Sequence, residues 1–110
     1  MLSLSNPLIS PLPLIVLTAA GYFVATVGMK GAAGGALVTG GIIALLGFLL
    51  AFAAEVLLMR NTHLSVLYIL IIGVETVLVL GFAMGIGEGL SFRQAIGAGL
   101  VLTGLAIVAV

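Results

Sequence analysis

Four long apolar runs, cut by short clusters of glycine and the few polar side chains, leave this chain little choice of solvent. The runs cover about residues 13–29, 36–58, 64–84 and 93–110. Each approaches the roughly 20 residues a helix needs to cross ~30 Å of hydrocarbon at ~1.5 Å per residue. Only 5% of the 110 residues are charged and 64% are hydrophobic, whereas a soluble domain carries about 25% charge. Six charges cannot coat so small a domain, so lipid is the expected solvent. The expected fold is an all-α integral membrane protein, a single domain of four transmembrane helices. A β-barrel is the competing membrane architecture, but its strands alternate polar and apolar residues, and these runs are continuously apolar.

The punctuation sets the organisation. Pro7, Pro11 and Pro13 lead into the first span, where proline suits an approach or a first turn. Lys30 and the small residues 31–35 are expected to end it. The second span breaks at residues 59–63, the most polar stretch of the chain, and the third ends before 85–89. The fourth begins near Arg93 and runs to Val110. Connections of about five to eight residues make successive helices antiparallel and leave no room for an extramembrane domain. The first residues carry no Lys or Arg, so they lack the basic region of a secretory signal and are read as mature sequence. Alternation puts Lys30 and Arg93 on one side, and Arg60 and His63 on the other. A basic bias of two against one is small, so a single orientation is expected with dual topology as the alternative.

Several functions are excluded on chemical grounds. Three basic and three acidic residues give zero net charge, so no basic patch for nucleic acid is expected. Cysteine is absent, which removes disulfides, thiolate metal sites and cysteine nucleophiles. No phosphate-cradling loop, nucleophile with a base, or pair of metal-ligating histidines appears. Neither an enzyme nor a bound cofactor or metal is expected, and His63 reads as a solvated loop residue.

Glu75 is the one charge expected near the bilayer midplane, eleven residues after Leu64 and nine before Met84. Hydrocarbon penalises the ionised form, so such a carboxyl is usually buried, partnered and functional, either carrying protons or holding helices together. Thr18, Tyr22 and Thr26 recur every four residues and form a polar stripe on the first span. Tyr22 is the expected hydrogen-bond donor to Glu75, whereas Thr18 and Thr26 more often bond their own helix backbone. Glu55, near the end of the second span, is expected to snorkel or to pair with a basic group at the interface. Glu88 and Arg93 are expected to form a surface ion pair. Sixteen glycines include Gly21 and Gly28, Gly73, Gly81 and Gly85, and Gly97 and Gly104, candidates for close helix packing. Gly21 with Ala25, Gly40 with Ala44, Gly47 with Ala51 and Gly81 with Gly85 stand four apart, which lets backbones approach in lipid.

Residues 87–104 read Gly-Glu-Gly-Leu-Ser-Phe-Arg-Gln-Ala-Ile-Gly and then Ala-Gly-Leu-Val-Leu-Thr-Gly. This resembles the last loop and helix of the drug/metabolite transporter superfamily, in which a Gly-Glu turn leads through Leu-Ser into a Gln-x-Ile-Gly helix. Four helices in 110 residues resemble its small multidrug resistance type. The first span, ending Gly28-Met29-Lys30, is similar to that family's first helix, and Tyr68 and the Gly73-Val-Glu75 segment are similar to its third. The resemblance runs the whole length, strong in the last third and loose before it. It implies an antiparallel dimer of chains in a bacterial inner membrane. The family's essential first-helix glutamate falls at Tyr22, and the carboxylate appears at Glu75, where the family carries glycine. Proton-coupled cation efflux is therefore not inherited with the fold.

The leading expectation is a small transporter or transporter subunit moving an amphipathic or cationic solute, as a homodimer or with another membrane protein. Glu75, Tyr22 and Glu55 are the residues expected to carry it, with Thr18 and Thr26 beside them. The alternatives are an accessory subunit of a larger membrane complex, and a flippase subunit for a lipid-linked sugar.

Overall fold

The computed structural model describes residues 12–60 and 63–109. Every regular element among them is an α-helix: α1 (Leu12–Ala33), α2 (Leu37–Met59), α3 (Leu64–Gly85) and α4 (Phe92–Ala109). The first three have mean hydropathies of 1.9, 2.6 and 2.4, and are long and apolar enough to cross a membrane. α4, at 18 residues, is shorter. All four present large apolar side chains outward, with Leu37, Leu100 and Ile107 each at least 70% exposed. Water would not tolerate that surface, and hydrocarbon does. The expected approach through Pro7 and Pro11 and the end at Val110 lie outside the described residues.

Helix ends follow local rules. α1 runs past Lys30 to Ala33, correcting the expectation that the lysine and the glycines after it end the span. Lys30 instead occupies the last turn, where a cation meets the negative end of the helix dipole. Gly35 closes the helix at φ +112°. Its N–H donates to Ala32 O, and that of Ala36 donates to Gly31 O, both at about 3 Å. This 6→1 and 5→2 pair is a Schellman motif, which needs a left-handed residue and so a glycine. Gly87, at φ +86°, repeats it after α3, with Glu88 N–H donating to Ala83 O at 2.7 Å. α4 starts in a capping box: Ser91 Oγ accepts from Gln94 N–H at 3.2 Å, and Gln94 Oε1 accepts from Ser91 N–H at 3.0 Å. Because the helices run on, the first two connections are shorter than the five to eight residues expected.

Packing is uneven, and α1 is its centre. α1 and α2 lie backbone against backbone along a ladder of buried small residues: Gly21, Ala25 and Gly28 on one, Gly40, Ala44, Gly47, Ala51 and Ala54 on the other. A Cβ added to Gly28 would stand 2.5 Å from Ala44 N and 2.6 Å from Gly40 O. One added to Gly47 would stand 2.5 Å from Ala25 N. Position 21 faces 51, 25 faces 47, 28 faces 44 and 32 faces 40, so each antiparallel pair of numbers adds to 72. The ladder repeats every seven residues, the period that keeps two helices in contact through a slight left-handed crossing. Beyond it, Ile15, Ala19 and Leu58 join Leu67 and Ile71 of α3 in the one buried apolar cluster described.

α3 packs along the other side of α1 and barely touches α2, while α4 contacts α3 alone. No residue of α4 with a described side chain is buried. Gly73 faces Leu105 of α4, but Gly81, Gly85, Gly97 and Gly104 have nothing within 4 Å of an added Cβ. The close approach expected from glycine spacing thus occurs within this chain between α1 and α2, not along α4. Gly97→Ala and Gly104→Ala are accordingly expected to leave the stability of the isolated chain in detergent unchanged or raised by up to ~1 kcal/mol through helix propensity. A fall in the melting temperature would show that these glycines pack against a second chain.

Candidate functional site

Tyr22 is the eleventh of the 22 residues of α1, Glu75 the twelfth of the 22 of α3, and Glu55 lies four residues before the end of α2. Helical side chains lean toward their own N-terminus. On antiparallel α1 and α2 this makes Tyr22 and Glu55 lean toward one another, and Tyr22 Oη donates to Glu55 Oε1 at 2.6 Å. This corrects two expectations. Tyr22 is partnered by Glu55 rather than Glu75, and Glu55 is held inside the fold by a phenol rather than by a basic group at the interface. α1 and α3, separated by two reversals of the chain, run parallel, so Tyr22 and Glu75 lean the same way.

Glu75 stands instead beside Thr26, one turn further along α1. The threonine hydroxyls are turned to their own helices, as expected: Thr18 Oγ1 donates to Leu14 O at 2.8 Å and Thr26 Oγ1 to Tyr22 O at 2.9 Å. Thr18 is fully buried in the α1–α2 contact and faces no cleft described here, so it is structural in position. Its back-bond satisfies the one polar side chain buried there.

Three clefts meet at these residues. One of about 220 Å³ is lined by Tyr22, Glu55, Tyr68, Ile71, Ile72 and Glu75, and opens where α2 and α3 part on either side of α1. A second, about 270 Å³, continues from Glu75 past Thr26 and Thr76. The third, about 360 Å³, lies on the α2 side of the Tyr22–Glu55 pair, against Phe48, Phe52 and Met59. The Tyr22 and Phe48 rings meet edge to face, centroids 6.1 Å apart at 72°. Tyr22, Glu55 and Glu75 are half-buried, and Tyr68 is 58% exposed. No Lys, Arg or His lines any of these clefts. The two carboxyls of the first cleft thus have no basic side chain among the residues that line it, and a carboxylate left unpaired in a low-dielectric setting is costly.

The remaining charged groups lie at the helix ends. Lys30 Nζ donates to Glu88 Oε2 at 2.7 Å, both side chains about half exposed. This replaces the expected pairing of Glu88 with Arg93, because the Gly87 turn carries Glu88 back across the end of α3 to the end of α1. Such an exposed pair contributes at most about 1 kcal/mol. His63 is exposed at the N-terminus of α3. Among the described residues there is no cluster of three His, Asp or Glu side chains able to hold a metal.

Sequence reasoning missed Tyr68, Phe48 and Phe52. Tyr68 precedes Glu75 by seven residues, two helical turns, and shares its face. Phe48, Phe52, Glu55 and Met59 recur at three or four residues along α2, a stripe that would have marked Glu55 as part of a wall. Comparison with known proteins adds no relative: no family model, curated protein or solved structure matches the chain.

Proposed function

We propose that this chain is a small membrane transporter, or a transporter subunit, of the drug/metabolite transporter type, resident in a bacterial inner membrane. It moves an amphipathic or cationic solute through the cleft between α1, α2 and α3. The observation that carries this reading is the convergence of Glu55, Glu75, Tyr22 and Tyr68 on one opening, which reaches from near the end of α2 to the middle of α1 and α3. A structural polar contact needs one donor and one acceptor sealed between helices. This site has two carboxyls, two phenols and open volume, with aromatic and thioether side chains adjoining it on the α2 side. Aromatic faces and carboxylates together suit organic cations.

On this reading α4, unburied and touching only α3, meets a second copy or a related chain, and all four helices span. The same exposed α4 supports a second reading, an accessory subunit packed against a larger membrane protein. Reconstitution separates them. Proteoliposomes with an acidic interior should accumulate labelled tetraphenylphosphonium above the level of protein-free vesicles and lose it when the gradient is collapsed. No accumulation, with co-purification of a second membrane protein in fixed ratio, would favour the accessory role.

A further inference from the structure

Glu55 differs from Glu75 in depth, and the shared cleft alone gives no reason for that difference. Glu55 stands four residues before the end of α2, only ~6 Å of helix rise from the membrane face that bears Arg60 and His63. It is half-buried and bonded to the Tyr22 hydroxyl, and both residues line the same 220 Å³ cleft as Glu75. A cleft of that volume accommodates several waters, at ~30 Å³ each. The titratable groups that share this cleft with Glu75 are Tyr22 from α1, Glu55 from α2 and Tyr68 from α3 itself, Thr26 of α1 lies beside it in the adjoining cleft, and α4 contributes none to either. An acid near the surface, a hydroxyl between, and an acid at mid-depth make up a relay.

We infer that Glu55 and Tyr22 form a proton route between Glu75 and the membrane face bearing Arg60 and His63. The inference rests on the transport reading for its purpose, though not for its geometry. Glu55 takes a proton from water at that face. Protonated Glu55 passes this proton to the Tyr22 oxygen while the Tyr22 hydroxyl proton moves to the Glu75 carboxylate, directly or across one water. The phenol is regenerated, Glu55 is again a carboxylate, and one proton has moved. The hydrogen bond seen here, Tyr22 donating to Glu55 at 2.6 Å, is the arrangement after that transfer. Transfer in the other direction empties Glu75 to the same face, so the route has a side.

The test uses the full chain in phosphatidylcholine and phosphatidylglycerol vesicles, following carboxyl infrared absorption after a rapid pH jump. Glu75→Gln identifies the Glu75 band by its loss. Tyr22→Phe keeps the ring against Phe48, and Glu55→Gln keeps an acceptor for the tyrosine, so both variants are expected to fold. Each should slow protonation of Glu75 on the order of a hundredfold while leaving the final amplitude unchanged. Glu55→Asp should restore most of the rate. A merely structural role for the pair would change amplitude or folding without slowing the approach. Parental rates in Tyr22→Phe or Glu55→Gln would overturn the route. Absence of a titrating Glu75 band would overturn both the route and proton coupling. A slowed band in a chain that transports nothing would leave the route standing and remove the transport reading.

Discussion

Gly28→Leu is expected to part α1 from α2 and to abolish recovery of monodisperse protein from mild detergent. Glycine here is a matter of space rather than of backbone conformation, because even a methyl group would lie 2.5 Å from Ala44 N and 2.6 Å from Gly40 O. Those neighbours are backbone atoms of a helix and cannot swing aside as a side chain would. Helix association in lipid draws on packing rather than on expulsion of water, so separated backbones have little to replace what they lose. Gly28→Ala should cost about 1–3 kcal/mol as an overpacking change, and leucine more. The measurement is the fraction of protein that stays monodisperse on gel filtration after graded heating. Gly81→Leu, where nothing lies within 4 Å of the added Cβ, is the matched control and should behave like the parent. Parental stability in Gly28→Leu would show that the α1–α2 ladder does not hold the fold.

The second large effect is expected at Glu75. Glu75→Gln keeps shape and hydrogen-bonding capacity and removes titration, whereas Glu75→Ala removes both. If the cleft carries protons against a solute, glutamine should reduce gradient-driven uptake at least about a hundredfold with the protein still folded and assembled. The accessory reading predicts the opposite pattern, with glutamine tolerated and association lost only with alanine. Co-purification and uptake, measured on the same preparations, discriminate between these patterns. Variants that both assemble and transport like the parent would remove Glu75 from the site altogether.

The environment of these residues shows where reading along the chain stops. Placing Glu75 at the centre of its span needed only a count between flanking polar residues, and α3 puts it there. Turning Thr18 and Thr26 onto their own helices needed only the preference of a hydroxyl for a carbonyl four residues back. Choosing the partner of Tyr22 needed the register of α1 against α2. That register follows from backbones meeting at Gly21, Gly28, Gly40 and Gly47, and it brings residues 33 positions apart within hydrogen-bond reach. The four-residue glycine spacings marked the right residues on α1 and α2. They could not separate them from Gly81 and Gly85, which have the same spacing and face nothing in this chain.

The sequence by itself determined that the described residues form four helices and present surfaces suited to hydrocarbon. These properties are local: a helix in lipid satisfies its own backbone hydrogen bonds, so composition and run length suffice to specify it. Its ends were equally local in cause, set by Gly35, Gly87 and the Ser91–Gln94 box. Only the tertiary structure decided that α1 lies between α2 and α3, that Glu55 rather than Glu75 holds Tyr22, and that Lys30 rather than Arg93 holds Glu88. In a uniformly apolar medium no hydrophobic face distinguishes one neighbour from another, and the choice falls to steric fit between small residues on different helices.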